Sequence, residues 1–156
     1  MNKVARTVRH LRRLVAQPGI VRFGRFCLVG GSGATLNMLL LWILTEAGMH
    51  YFYSGLVATA AATTWNYTLN DLVTWRDRRR RSVRSWLQRY AQYWAVTAVG
   101  SALQLMVLVL LTRAGVPYLV SNVAGIGPAT LWNFHANERW TWKPAAHAGQ
   151  GEIPRG

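Results

Sequence analysis

The sequence predicts an all-α membrane protein: four transmembrane helices set out as two parallel-repeat helical hairpins, with the N and C termini cytoplasmic. Three observations predict it. Apolar residues make up 51% of the chain, yet the formal net charge is +13. The arginines and lysines cluster at 3–25, 76–89 and 139–155, with only Arg113 elsewhere, so the charge lies between apolar runs. Finally, Trp65-Asn66-Tyr67 recurs as Trp132-Asn133-Phe134, and the 67-residue offset holds upstream and downstream without a gap. Arg22/Arg89, Gly33/Gly100, Gly48/Gly115, Tyr51/Tyr118, Ser54/Ser121 and Asn70/Asn137 are among the matched pairs. A duplication this regular describes one unit used twice.

Each element follows from its composition. Residues 1–21 form a basic amphipathic interfacial segment, because Val4, Val8, Leu11 and Val15 fall at helical spacing among arginines, which suits a helix lying on anionic lipid. Pro18-Gly19 is expected to break this segment before the first span. Residues 22–143 hold the four-helix transmembrane domain. The first span, Phe26 to Ala47, carries no charge before Glu46 and is long enough for a hydrocarbon core of about 30 Å. Phe52 to about Leu69, Tyr93 to Thr112, and Tyr118 to about Trp132 are the others, the last continuing toward Ala136. The repeats are 22–76 and 89–143, joined by a basic cytoplasmic loop at 76–89, and 144–156 is a disordered tail.

Basic residues on the N-terminal segment and the central loop put both on the cytoplasmic side. Two spans separate corresponding points, so the repeats are parallel and every duplicated residue lies at one depth in both halves. The copies of the Trp-Asn-aromatic motif therefore form a paired entrance at the cytoplasmic face. A soluble nucleic-acid binder is excluded by the apolar surface that four spans would expose to water. The lone Cys27 rules out an internal disulfide and suits a small packing residue.

The candidate binding residues are polar groups in or beside the spans. Asn37 lies roughly 16 Å into the first span at 1.5 Å per residue, and its repeat partner is Gln104. Either an interhelical hydrogen bond or the lining of a polar path accounts for this pair. Asn66 and Asn70 are four apart and share a helix face, as do Asn133 and Asn137. Asp71 and Glu138 follow them. These amides can bind hydroxyls or phosphate oxygens, or they can end the helices. Arg22, Arg25 and Arg89 precede the odd spans and suit phosphate through the guanidinium fork, although orientation alone also explains an arginine there. The glycines of Gly30 to Gly33 lack a following Lys-Ser/Thr and are read as close-packing residues. No Ser/His/Asp set, paired carboxylates, Cys/His metal spacing or ATP motif is visible. The chain is therefore expected not to be an enzyme and to need no catalytic residue, cofactor or metal.

The opening Phe26-Cys27-Leu28-Val29-Gly30 with Gly33, the four spans, and Asn-aromatic followed by Asn and a Thr-Trp pair (Asn66-Tyr67 with Thr74-Trp75, Asn133-Phe134 with Thr141-Trp142) resemble the GtrA-like family of small membrane proteins. The resemblance covers about 22 to 143. It implies a multi-pass protein of the bacterial inner membrane that flips a polyprenyl-phosphate-linked sugar for cell-surface polysaccharide synthesis or modification. A membrane-associated glycosyltransferase is the implied partner, beside the lipid-linked sugar itself and anionic lipids. The alternative is a non-transporting subunit that anchors or stabilises that glycosyltransferase. Four helices enclose little volume, which is compatible with a homo-oligomer.

Overall fold

The computed structural model describes residues 17–79 and 82–144. They are helical throughout, without a strand. Helix α1 runs Pro18–Glu46, α2 Tyr51–Leu69, α3 Val83–Arg113 and α4 Tyr118–Ala136. A π-helical turn continues α2 at Asn70–Thr74 (π1), and another continues α4 at Asn137–Thr141 (π2). A single 3₁₀ turn occupies Arg76–Arg78.

The apolar residues face outward. Only 11% of the most apolar window of α1 and of α3 is buried, and Leu28, Met38, Trp42, Tyr118 and Val123 are all more than half exposed. Such a surface is tolerable against lipid tails and not against water. Helices α1 and α3 are long and apolar enough to cross a membrane. Helices α2 and α4 have 19 residues each, about 28 Å at 1.5 Å per residue. Their small and polar residues (Ala, Thr, Gly, Ser, Asn) dilute their hydropathy. The chain is a membrane protein.

Both odd helices begin earlier than the sequence suggests. Helix α1 starts at Pro18 itself, eight residues before the expected start of the span. The proline occupies the first turn of α1 behind an extended Gln17, where its missing N–H would be unsatisfied in any case. Arg22 and Arg25 thus ride on the same rod as the apolar stretch. Likewise α3 starts at Val83, so the second half of the expected 76–89 loop is helix. The expected amphipathic stretch at 1–16 and the tail from 145 lie outside the described residues.

Helix α1 packs along α2, and α3 along α4. Each pair turns through the same device. Gly48 at φ +91° and Gly115 at φ +89° adopt the left-handed conformation that lets a chain leave a helix. Met49 N–H donates to Leu44 C=O at 3.0 Å, and Val116 N–H to Leu111 C=O at 3.0 Å, which satisfies carbonyls the helix ends would otherwise leave bare. Close packing within each pair depends on a second glycine. A Cβ built on Gly33 would overlap the Asn66 amide, and one on Gly100 would overlap the Asn133 amide.

The two helix pairs meet chiefly at the end where the π turns lie. There Phe26, Tyr67, Trp75, Tyr93, Phe134 and Trp142 form the buried core, flanked by Phe23, Trp86 and Tyr90.

Candidate functional site: a crossed ionic junction and a cationic pocket

An extra residue per turn sets up the junction. In π1 the Trp75 N–H reaches back five residues to the Asn70 carbonyl at 2.8 Å, and in π2 Trp142 does the same to Asn137 at 2.8 Å. The Asn70 and Asn137 side-chain oxygens each accept from the threonine four residues on, Thr74 and Thr141, at 2.7 Å. Such insertions re-aim the side chains that follow them. Here they turn Trp75 and Trp142 inward until the indoles stack, with ring centroids 4.4 Å apart and planes within 5°. The surrounding rings repeat at the 67-residue offset. Phe26 meets Trp75 and Phe134 at 5.8 and 5.7 Å; Tyr93 meets Trp142 and Tyr67 at 5.9 and 5.7 Å.

Charges bind the junction crosswise. Arg22, before the first copy, pairs with Glu138 of the second at 2.8 Å. Arg89, before the second copy, pairs with Asp71 of the first at 3.1 Å. The second pair is the more deeply buried, with Asp71 2% and Arg89 5% exposed. A carboxylate so placed is tolerable only with opposite charge and donors around it. Asp71 has these: Arg79 at 3.1 Å, Arg89, and the Trp142 indole N–H at 2.9 Å. Glu138 is held by Arg22 and by Arg78 at 3.2 Å, and Arg22 also reaches Asp77 at 2.8 Å. Arg78 further donates to the Trp142 carbonyl at 2.9 Å, tying the 3₁₀ turn to π2.

The match between copies is incomplete in one place. Trp142 donates to Asp71, whereas the fully buried Trp75 indole nitrogen has no hydrogen-bond partner among the described residues. Its expected acceptor, Glu138, is turned toward Arg22 and Arg78 instead.

The sequence candidates thus divide by depth. Arg22, Asp71, Arg89, Glu138, Asn70 and Asn137 come together at the junction. Asn70 and Asn137 are 1% and 0% exposed and bound to threonines. Each stands one α-helical turn after Asn66 or Asn133, whose carbonyl its N–H reaches, and its burial keeps it off an open surface. Asn66 and Asn133 lie one turn deeper against Gly33 and Gly100, and their side-chain oxygens are buried without a hydrogen-bond partner among the described residues. The neighbouring indoles tie these turns to the odd helices: Trp65 donates to Ser32 Oγ at 3.1 Å and Trp132 to the Val96 carbonyl at 3.2 Å. Farther along, Asn37 donates to Thr59 at 3.3 Å and Gln104 to Asn122 at 3.1 Å, each within its own helix pair. Arg25 sits half-buried on α1.

Sequence reasoning did not single out Asp77, Arg78 or Arg79 as members of this site, nor the pocket beside it. That pocket has a volume of about 240 Å³ and lies between the first turns of α3 and π2. Arg78, Arg89 and Lys143 give it positive charge, and Gln88, Gln92 and Trp140 line it with amides and an indole. The i, i+4 spacing of Gln88 and Gln92 was its only trace in the sequence. A larger, mainly apolar groove of about 960 Å³ runs along the far half of α1 and α2, with Trp42, Tyr51, Phe52 and Glu46 in its wall and Trp94 of α3 closing it.

Fold and junction together define a small helical membrane domain built from two matched helix pairs, locked at one end by charge and stacked indoles. Residues 25–143 match the GtrA/DPMS transmembrane domain, and the chain belongs to that family. It is also similar to a dolichol-phosphate mannosyltransferase of Pyrococcus furiosus, 29% identical over 136 residues. The similarity covers 86% of this chain and 38% of that protein, so the chain spans well under half of that relative's length.

Proposed function

We propose that this protein flips a polyprenyl-phosphate-linked sugar across the bacterial inner membrane, for synthesis or modification of cell-surface polysaccharide. It would do so as a multi-pass protein with both termini cytoplasmic, without itself catalysing a reaction. The observation that carries this reading is the cationic, amide-lined pocket at the junction end of a chain that belongs to a family of lipid-linked-sugar membrane domains. Four arginines (Arg22, Arg78, Arg79, Arg89) face three carboxylates (Asp71, Asp77, Glu138) in the ion-pair network, and Lys143 adds to the excess. That balance attracts a phosphate, while amides and indole suit sugar hydroxyls and a pyranose face. Anionic lipids would gather at the same end. The polyprenyl tail would stay in lipid while the head passes between the helix pairs, where Asn66, Asn133, Asn37 and Gln104 offer hydrogen bonds at successive depths.

The test is reconstitution. Purified protein in vesicles should move a glycosyl polyprenyl phosphate from the inner to the outer leaflet faster than protein-free vesicles. Equal rates would remove translocation by this chain alone.

A second reading has its own support, namely the similarity to part of a longer protein whose name is that of a glycosyltransferase. The chain would then anchor or stabilise a separate polyprenyl-phosphate glycosyltransferase, with the basic end as the docking surface. Deletion would abolish synthesis of the glycosyl lipid under this reading. Under translocation it would abolish only the lipid's appearance on the outer leaflet.

A further inference from the structure

We infer that the chain holds one sugar-phosphate head at a time, in the pocket between α3 and π2, and that the first copy of the repeat has no equivalent site. The inference rests on the proposed lipid-linked substrate and specifies where, and by which residues, its head is read.

The lining explains why. Gln88 and Gln92 stand one turn apart on α3, so their amides project from one face toward π2. Each amide offers two donors and an acceptor, which matches neighbouring hydroxyls of a pyranose. Trp140, half exposed, supplies a flat apolar face of the kind that packs against a sugar ring. Lys143 lies exposed at the mouth, and Arg78 and Arg89 back the floor, already held by the Glu138 and Asp71 carboxylates. The phosphate would then sit toward Lys143.

Moving back 67 residues removes the amides and the indole, while Lys143 becomes Arg76. Gln88 becomes Val21, Gln92 becomes Arg25, Trp140 becomes Val73 and Ser85 becomes Pro18. Arg22, the counterpart of Arg89, bridges Glu138 and Asp77 at 2.8 Å each. The framework of the junction and its cations are duplicated, while the two amides and the exposed indole that would read the sugar are not. The duplicated motif is therefore shared scaffolding for a single entrance, not a pair of entrances.

Calorimetric titration of the full chain in nanodiscs tests this with two probes, citronellyl phosphate and glucosyl citronellyl phosphate. About one glucosyl probe per chain is expected. Gln88→Ala with Gln92→Ala should weaken the glucosyl probe roughly tenfold and leave citronellyl phosphate unchanged, since two neutral hydrogen bonds are lost. Lys143→Gln should weaken both probes. Trp140→Ala should weaken the glucosyl probe, and its positional counterpart Val73→Ala should not. Two probes per chain, equal loss of both probes in the glutamine variant, or a Val73→Ala effect matching Trp140→Ala would each overturn the single-site inference. Binding and flipping fail separately. Glutamine-dependent 1:1 binding without flipping would sink translocation and keep the pocket. Unimpaired flipping by the double glutamine variant would do the reverse.

Discussion

Trp75 and Trp142 occupy the same position in the two copies and lie face to face, 4.4 Å between ring centroids and 5° between planes. Yet only Trp142 uses its indole nitrogen, which donates to Asp71 at 2.9 Å. Stacked rings hold the helix pairs together, and the hydrogen bond makes the two rings unequal.

That inequality is measurable. Trp75→Phe and Trp142→Phe remove similar apolar area, but only the second breaks a bond to a buried charge. Trp142→Phe should cost about 1.5–3 kcal/mol more than Trp75→Phe, the value of a hydrogen bond to a charged group. Thermal unfolding of both variants in one detergent gives the comparison, and equal melting temperatures would contradict the assigned bond.

The glycine contacts predict a rescue. Gly33→Ala should destabilise by roughly 1–3 kcal/mol, because the new methyl meets the Asn66 amide inside a packed helix pair. Adding Asn66→Ala should restore most of the loss, since the residues are in contact and their effects are coupled. Gly100→Ala with Asn133→Ala should behave alike. Gly30→Ala, with nothing within 4 Å of the added carbon, should be neutral or slightly stabilising. A melting series on these five variants is sufficient.

The crossed ion pairs differ in depth and should differ in cost. Arg89→Gln leaves Asp71 short of a partner in a site where the carboxylate is 2% exposed, an expected loss of about 3–5 kcal/mol. Arg22→Gln removes two pairs, but their acids are 53% and 25% exposed and both keep Arg78, so the loss should be smaller. Denaturant unfolding of the two variants would rank them, and the opposite order would contradict the burial assigned here.

Asn37 and Gln104 can be asked whether they pack or conduct. Each bonds a polar neighbour across its own helix pair, and such bonds contribute on average about 0.6 kcal/mol in membrane helices. Asn37→Leu and Gln104→Leu should therefore fold. If these amides line the path of the sugar head, flipping in vesicles should fall at least several-fold in each. An unchanged rate would leave them as packing residues.

Much of the fold was legible because the chain states it twice. Gly48 and Gly115, 67 residues apart, mark turns that the structure builds with the same hydrogen bonds. Gly33 and Gly100 were rightly suspected of allowing close helix contact. The helix starts were less legible: charge marked where the apolar spans begin, at Phe26 and Tyr93, while the helices themselves start at Pro18 and Val83, because arginines at the membrane surface do not interrupt a helix. The candidate site was legible in its residue types and not in its arrangement. Period-3.6 spacing put Asn66 and Asn70 on one face, but the π turn that follows, and that aims Trp75 inward, adds a residue that no local pattern announces. Asp71 has a nearby partner in Arg79, but its other partners, Arg89 and Trp142, come from the second copy, where sequence proximity does not reach.

The crossing of Arg22 to Glu138 and Arg89 to Asp71 has the form of an isologous interface, in which one residue meets a second and the second's twin meets the first's twin. Each half lends a cation to the other's acid, although Asp71 also keeps Arg79 from its own side. A junction of that form closes equally well between two separate single units. The peptide linking the halves then fixes which two units meet, and a chain cut between π1 and α3 should reassemble from its halves when both are made in one membrane.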